Sequence, residues 1–199
     1  MTFLDVFPAK AILDTVAAKV FRPACESLAS RLPCRVIYDR NGTSPYLSRF
    51  YFLGRRSCDD KDEPRSAWSL PFNLFLHKFH RGDDDGALHS HPWKWSVALI
   101  LAGGYSEERR VGDSVVRRLM LPLSVNVIRA DDYHRVDLLD RDAWTLFLAG
   151  PRVGTWYFWD RDLKARARWD KYINWLFCKA DPGWEADFRE GPAKVNKIT

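Results

Sequence analysis

The sequence predicts an all-β core, an antiparallel double-sheet barrel or jelly roll, with a helix flanking it at each end. Three observations predict it. Between residues 34 and 160, short apolar or alternating runs follow one another with close turn signals and no helical segments between the central ones. The composition suits large rings packed between sheets, with 46% hydrophobic residues, 14% aromatic residues and nine Trp in 199 residues. Helical periodicity of three and four residues is confined to the two ends. The expected organisation is an N-terminal helix and strand extension over 1–70, a barrel over 71–160, and a C-terminal helix and tail over 161–199.

Taken in order, residues 8–32 read as helix, because Ala9, Ile12, Leu13, Val16, Ala17 and Val20 recur at helical steps. Pro23 is expected to end or kink it. This helix is expected to pack on the outside of a sheet. Residues 34–39 and 46–53 read as strands around the turn signal Asn41-Gly42. The charged stretch 54–65 reads as an exposed loop. A strand over 72–79 puts Phe75, His77 and Phe79 on one face, and the acidic loop 81–86 then leads to His89. Strands follow at 105–110 and 114–119 around a turn at 111–113, and again at 121–129, 143–149 and 155–159. Residues 161–177 read as a helix with Leu163, Ala167, Tyr172, Ile173 and Leu176 roughly on one face.

Charge and motif content narrow the function. The net charge of +5 is mild, and opposite charges interleave, as in Glu107-Glu108-Arg109-Arg110. That pattern describes a solvated surface, so no nucleic-acid partner is expected. The four cysteines are scattered without a Cys-x-x-Cys pair, which removes zinc-ribbon and thioredoxin-like readings. No Gly-rich phosphate loop or nucleophile elbow is present. No apolar run approaches the roughly 20 residues that cross a bilayer, so no membrane partner is expected. The N-terminus lacks the pattern of a signal peptide, and a cytoplasmic location is expected. A small-molecule substrate or ligand is the expected partner, and a homodimer through sheet edges is a candidate assembly.

The stretch that carries chemistry is His89-Ser90-His91, which leads through Pro92-Trp93-Lys94-Trp95 into an apolar run ending at Gly103-Gly104. Side chains two apart in a strand share a face, so His89 and His91 are expected to point the same way. Counted straight on, that face continues with Trp93, Trp95, Val97, Leu99 and Leu101, although Pro92 interrupts regular pairing. Two imidazoles aimed into an apolar space suit a zinc, iron, copper or nickel ion. The alternative is two hydrogen-bonded histidines with no ligand.

These residues resemble the first motif of the cupin superfamily: His-x-His, three or four residues, Glu, six residues, Gly. Here Ser96 stands four residues after His91 and Gly103 six further on. His134 falls where the second motif of that superfamily supplies another histidine. The stretches LHKFHRGDDDGALHSHPW, ILAGGY, ADDYHRV and WTLFLAGP look like a group of small bacterial and phage cupins of unassigned activity, and the resemblance covers roughly residues 72–160. It implies a jelly-roll barrel and a divalent transition metal (Fe, Zn or Ni) held by His89, His91 and His134. Ser96 departs from the pattern, because it offers no carboxylate. The resulting all-histidine triad is similar to that of the cysteine dioxygenases, which implies a small-molecule oxidoreductase of the dioxygenase type. A non-catalytic ligand- or partner-binding cupin and a metal-free sugar epimerase or isomerase are the alternatives.

Further residues are candidates around that centre. Asp132, two before His134, is a fourth ligand, an orienting carboxylate or a turn residue. Glu107 is an inward ligand or general base, or one of a solvated pair with Glu108. Tyr105 is a hydrogen-bond donor to bound oxygen, or a packing residue. His77 lines the barrel, Arg81 is a candidate partner of a substrate carboxylate, and Trp93 is a candidate pocket wall.

Overall fold

The computed structural model describes residues 15–38, 43–52, 72–83, 87–160 and 165–168. They form two six-stranded antiparallel sheets with a helical segment outside one of them. The strands are β1 (Cys34–Tyr38), β2 (Pro45–Tyr51), β3 (Asn73–Phe79), β4 (Leu88–His89), β5 (Trp95–Ala102), β6 (Tyr105–Val111), β7 (Ser114–Met120), β8 (Val125–Arg129), β9 (His134–Leu138), β10 (Ala143–Ala149), β11 (Tyr157–Asp160) and β12 (Ala165–Arg168). The first sheet runs β1-β2-β3-β10-β5-β8 and the second β12-β11-β4-β9-β6-β7.

From β3 to β10 the chain changes sheet at every connection except the β6–β7 hairpin. Strands β3, β10, β5 and β8 then face β4, β9, β6 and β7, which is the strand order of an eight-stranded jelly roll. The hairpins that the sequence predicts are present. β1 pairs with β2, and β6 turns into β7 through Gly112 at φ 61°. The turn from β5 to β6 needs its glycine more stringently. Gly103 has φ 69°, and a Cβ there would run into the backbone carbonyl of Asp142.

The N-terminal helical segment begins with a π-helical stretch, Ala17–Phe21, and continues as α1, Arg22–Ala29. Pro23 explains the widened turn. A proline ring clashes with the carbonyl four residues back and supplies no N–H, so the backbone bonds over five residues instead, from Arg22 N–H to Ala17 O. The helix continues past Pro23 rather than ending there. Ala17, Cys25 and Phe21 pack against Leu76, Trp144 and Ala102 on the outer face of the first sheet. Arg22, itself buried, reaches the buried Asp142 in an ion pair, and Lys78 lies 3.6 Å from the same carboxylate. The expected residues 8–14 of the helix lie outside the described residues.

Between the sheets sit two apolar clusters. One gathers Tyr51, Phe75, Trp93, Ala98, Phe147 and Ala149. The other gathers Ile100, Tyr105, Met120, Val136 and Ala143. Two expectations are corrected here. The face read straight through residues 89–101 does not continue, because β4 belongs to the second sheet and β5 to the first. The chain crosses the barrel at Pro92, and inside β5 it is Ser96, Ala98 and Ile100 that are buried, while Trp95, Val97 and Leu99 are partly exposed. The second correction concerns the helix expected over 161–177. Where this segment is described, it is β12, paired antiparallel with β11. Pairing partners override the helix propensity of the Lys-Ala-Arg-Ala-Arg run. Residues 169–199 lie outside the described residues.

Candidate metal centre

β4 is only two residues long, yet it fixes the centre. His89 pairs directly with His134 of β9, and with Phe158 of β11 on its other side. Directly opposed residues in an antiparallel pair carry their side chains on the same face. The His89 and His134 rings accordingly lie 4.8 Å apart between centroids. His91 follows just past β4, with its ring 5.3 Å from His89 and 5.0 Å from His134. One potential ligand atom from each of the three lies within 4.8 Å of the others. Nε2 of His91 and Nε2 of His134 are 2.8 Å apart.

The protonation of the cluster suits a cation. Burial pulls His89 down to about 4, against the raising effect of the Asp83 carboxylate. Burial also holds His91 well below the ordinary histidine range, and the neighbouring imidazoles and Arg49 push it the same way. Both are therefore neutral near pH 7, the state in which an imidazole ligates. The outer nitrogens of two histidines face carboxylates. His134 Nδ1 donates to Glu107 Oε1 at 2.8 Å, which leaves Nε2 as the ligating atom. His89 Nδ1 lies 3.7 Å from Asp83 Oδ2. Asp83 is held in turn by Tyr46 Oη (2.6 Å) and by the backbone N–H of Val136 (2.7 Å). His91 Nδ1 is buried and finds no partner among the described residues. Nitrogens about 2.1 Å from a tetrahedral ion are about 3.4 Å apart, so small ring rotations fit the triad to a metal.

Glu107 is the most heavily engaged carboxylate here, with no solvent exposure. Besides His134, it accepts hydrogen bonds from Arg109 (2.8 Å), Arg118 (3.1 Å from Nε) and Asn126 (2.9 Å). Burial alone would raise its pKa, but the hydrogen bonds from His134, Asn126 and Arg109 outweigh this and hold it well below the usual carboxylate range. The geometry follows from register. Glu107 and Arg109 share the inner face of β6, Arg109 sits opposite His134, and Arg118 sits opposite Glu107.

The other sequence candidates separate. Asp132 is a turn residue that accepts from Arg129 N–H (2.9 Å) and Arg109 Nη1 (3.2 Å). The carboxylate on His134 is Glu107 rather than Asp132. Tyr105 is buried beside this network, where its Oη accepts from Asn126 at 3.3 Å. Burial, partly offset by the Asn126 hydrogen bond, raises it to about 12, so it stays protonated. Trp93 is buried, 5.7 Å from the His91 ring between centroids. His77 is buried on the inner face of the first sheet, stacked 4.7 Å from Phe147, whose ring also contacts His91 at 5.9 Å. Arg81 sits half-buried just past β3, two residues before Asp83. Ser96 is buried on the inner face of β5, with its hydroxyl 3.5 Å from Ile128 O.

Sequence reasoning missed Asp83 and Arg49. Asp83 lies in an acidic loop where three aspartates are indistinguishable by type. Arg49 is buried on β2 and donates from Nε to His77 Nε2 at 3.1 Å. Its signal was period two, since Leu47, Arg49 and Tyr51 alternate inward.

No family model matches the chain, and no curated protein matches it. Among solved structures it is similar to hydroxypropylphosphonic acid epoxidase from S. wedmorenis, at 9% identity and TM-score 0.43 over 61% of this chain and 56% of that one. It is also similar to the DMSP lyase DddQ from Ruegeria pomeroyi DSS-3, at 16% identity and TM-score 0.44 over 61% and 57%. A third is KdgF from Halomonas sp., at 18% identity and TM-score 0.42 over 62% and 91%. The chain spans little more than half the length of the first two. By its own strand order the chain is an antiparallel double-sheet jelly roll, with His89 in β4 and His134 opening β9 beside it.

Proposed function

We propose that the chain is a metal-dependent enzyme acting on a small molecule, with His89, His91 and His134 holding one divalent transition metal (iron, zinc or nickel). The observation that carries the reading is the convergence of three imidazoles with ligand atoms within 4.8 Å of one another, two of them backed by buried or half-buried carboxylates. Hydrogen-bonded carboxylates behind ligating histidines fix the tautomer and raise ligand basicity. Such a metal would supply Lewis-acid polarisation of a bound oxygen or activation of water or dioxygen. Three protein nitrogens leave coordination positions for a substrate.

The chain's own residues have distinct parts in this reading. Glu107 positions His134 rather than accepting a substrate proton, since both of its oxygens already accept hydrogen bonds. Tyr105, protonated and joined to that network through Asn126, is a donor. Trp93, Phe147 and Phe75 form an apolar wall beside His91. Among the described residues no helix is long and apolar enough to cross a membrane. Within this class we favour a dioxygenase-type oxidoreductase, because the donor set is all-histidine. The test is oxygen consumption by iron-loaded protein across a panel of small thiols, acids and alcohols. Metal-dependent turnover abolished by chelator is expected. Oxygen consumption that survives complete metal removal would overturn the metal-dependent reading.

A further inference from the structure

The histidines sit at one end of the barrel, and the strand bounds show what else lies there. β4 ends at His89, β8 at Arg129 and β10 at Ala149, while β5 begins at Trp95 and β9 at His134. Pairing sets Arg129 opposite Trp95, Ala149 opposite Ser96 and His89 opposite His134. Segments 90–94 and 150–156 therefore rim this end together. They are clamped to each other. Lys94 N–H donates to Pro151 O, the N–H groups of Val153 and Gly154 both donate to Pro92 O, and Trp93 bridges to Arg152. Pro92 follows His91 directly, so the clamp sits beside the triad.

Three exposed cations stand on this rim. Arg152 is bridged to Trp93, Lys94 follows Trp93, and Arg129 faces Trp95 across the β5–β8 pair. None of the three is in an ion pair among the described residues. Segments 90–94 and 150–156 contain no acidic residue. On the neighbouring β8–β9 turn, Asp132 is taken up by Arg109 and the Arg129 N–H, and Asp131 is the exposed acid. Arg152 differs from a freely solvated side chain. Its Nε donates to Gly154 O at 3.2 Å, and its Cζ lies 5.6 Å from the Trp156 centroid. These two contacts hold the guanidinium in place and leave its Nη donors without a partner among the described residues. Trp156, half-buried, meets Trp93 edge to face at 5.9 Å, and Trp93 lies 5.7 Å from the His91 ring. An aromatic ledge thus joins the oriented cation to the triad.

We infer that Arg152 on Trp156, with Lys94 and Arg129 beside it, forms an anion-binding mouth to the pocket. The ligand class is a small organic anion with an apolar body. Its charged head pairs with the Nη donors of Arg152, because a guanidinium matches a carboxylate or phosphate in shape and charge. Its apolar body lies along Trp156 and Trp93. Lys94 and Arg129 add charge of the same sign, which concentrates such molecules at the opening. That this class is the substrate rests on the proposed function, but the mouth itself stands without metal.

The test is binding of butyrate, with butyramide and n-butylammonium as uncharged and cationic comparators, to chelated full-length protein by ligand-observed NMR. Butyrate is expected to bind at least about fivefold more tightly than butyramide, and n-butylammonium more weakly than either. Arg152→Met is expected to weaken butyrate by about fivefold, and Lys94→Gln or Arg129→Gln by about twofold. Trp156→Leu keeps every charge and removes the platform, so it is expected to lose most of the Arg152 effect. Lys19→Gln removes one charge from the N-terminal helix and is expected to change nothing. Raising the salt to about 0.5 M is expected to erase the Lys94 and Arg129 effects first. Equal binding of the acid and the amide, or wild-type affinity in Arg152→Met, would overturn the mouth. Equal losses in Lys19→Gln and Arg152→Met would overturn it too, by showing a general effect of net charge. Failure of the metal reading alone gives a different result, with the butyrate preference retained and no metal bound to wild type.

Discussion

Replacing Glu107 by Gln perturbs the centre at its most connected atom pair while keeping its shape. In the native chain both oxygens accept hydrogen bonds, from His134, Arg109, Arg118 and Asn126. An amide has one acceptor oxygen and two N–H donors, so with the oxygen kept at Oε1 the NH2 faces the Arg118 donors without an acceptor for them. The partners differ in weight. The Arg118 side chain is 44% exposed, so that pair is screened and worth about 0–1 kcal/mol. Arg109 and His134 are 12% and 5% exposed, and each charge-assisted hydrogen bond is worth about 1.5–3 kcal/mol. The expected loss of stability is therefore about 3–5 kcal/mol, in the range for breaking a buried ion pair. Metal affinity is expected to fall about 10- to 100-fold, because the amide oxygen that takes the place of Oε1 is uncharged and a weaker acceptor for His134 Nδ1–H. Urea unfolding of the chelated protein reads the first quantity, and competition with a chromophoric chelator reads the second. Unchanged metal affinity in a folded Glu107→Gln protein would refute the orienting role.

Other outcomes follow from the same structure. Gly103→Ala, at φ 69° and against the Asp142 carbonyl, is expected to cost at least about 1–3 kcal/mol in denaturant unfolding. Arg22→Met is expected to cost about 3–5 kcal/mol by leaving Asp142 buried beside Lys78 alone, and the double change with Asp142→Leu is expected to recover most of it. Burial and then Arg49 hold His77 well below its ordinary 6.5, so the unfolded chain binds a proton there that the folded chain does not. Its contribution to stability is therefore lost as pH falls below about 6.5. The stability difference between about pH 7.5 and about pH 5.5 is expected to shrink in His77→Phe, whose lost acceptor for Arg49 costs the same at both values.

Much of the barrel is legible in the sequence because its signals are local. β10 coincides with the expected 143–149, and the β6–β7 turn coincides with the expected 111–113. His-x-His and a distant His134 are also readable, since a rare residue type at a fixed spacing stands out. What local pattern cannot supply is the sheet to which a strand goes. Parity fails across Pro92 because the chain changes sheets there. Glu107 reads either as an inward carboxylate or as half of a solvated pair with Glu108, and what decides is Arg118 and Asn126 reaching it from β7 and β8, contacts that only the folded barrel creates. Arg49 shares a period-two face with Leu47 and Tyr51, but it is pairing with β3 and proximity to Trp93 that place it inside. The C-terminal strand pair shows the reverse case, where a stretch with helical composition is recruited by an available edge, that of β11.

The central claim is that His89, His91 and His134 together bind one metal ion. Elemental analysis of wild-type protein and of the His91→Ala/His134→Ala variant, each reconstituted with iron, zinc or nickel and desalted, tests it most directly. The account predicts close to one equivalent of metal in the wild type and essentially none in a folded variant. Stoichiometric metal retained by the variant, or none bound by the wild type with any of the three ions, would contradict it.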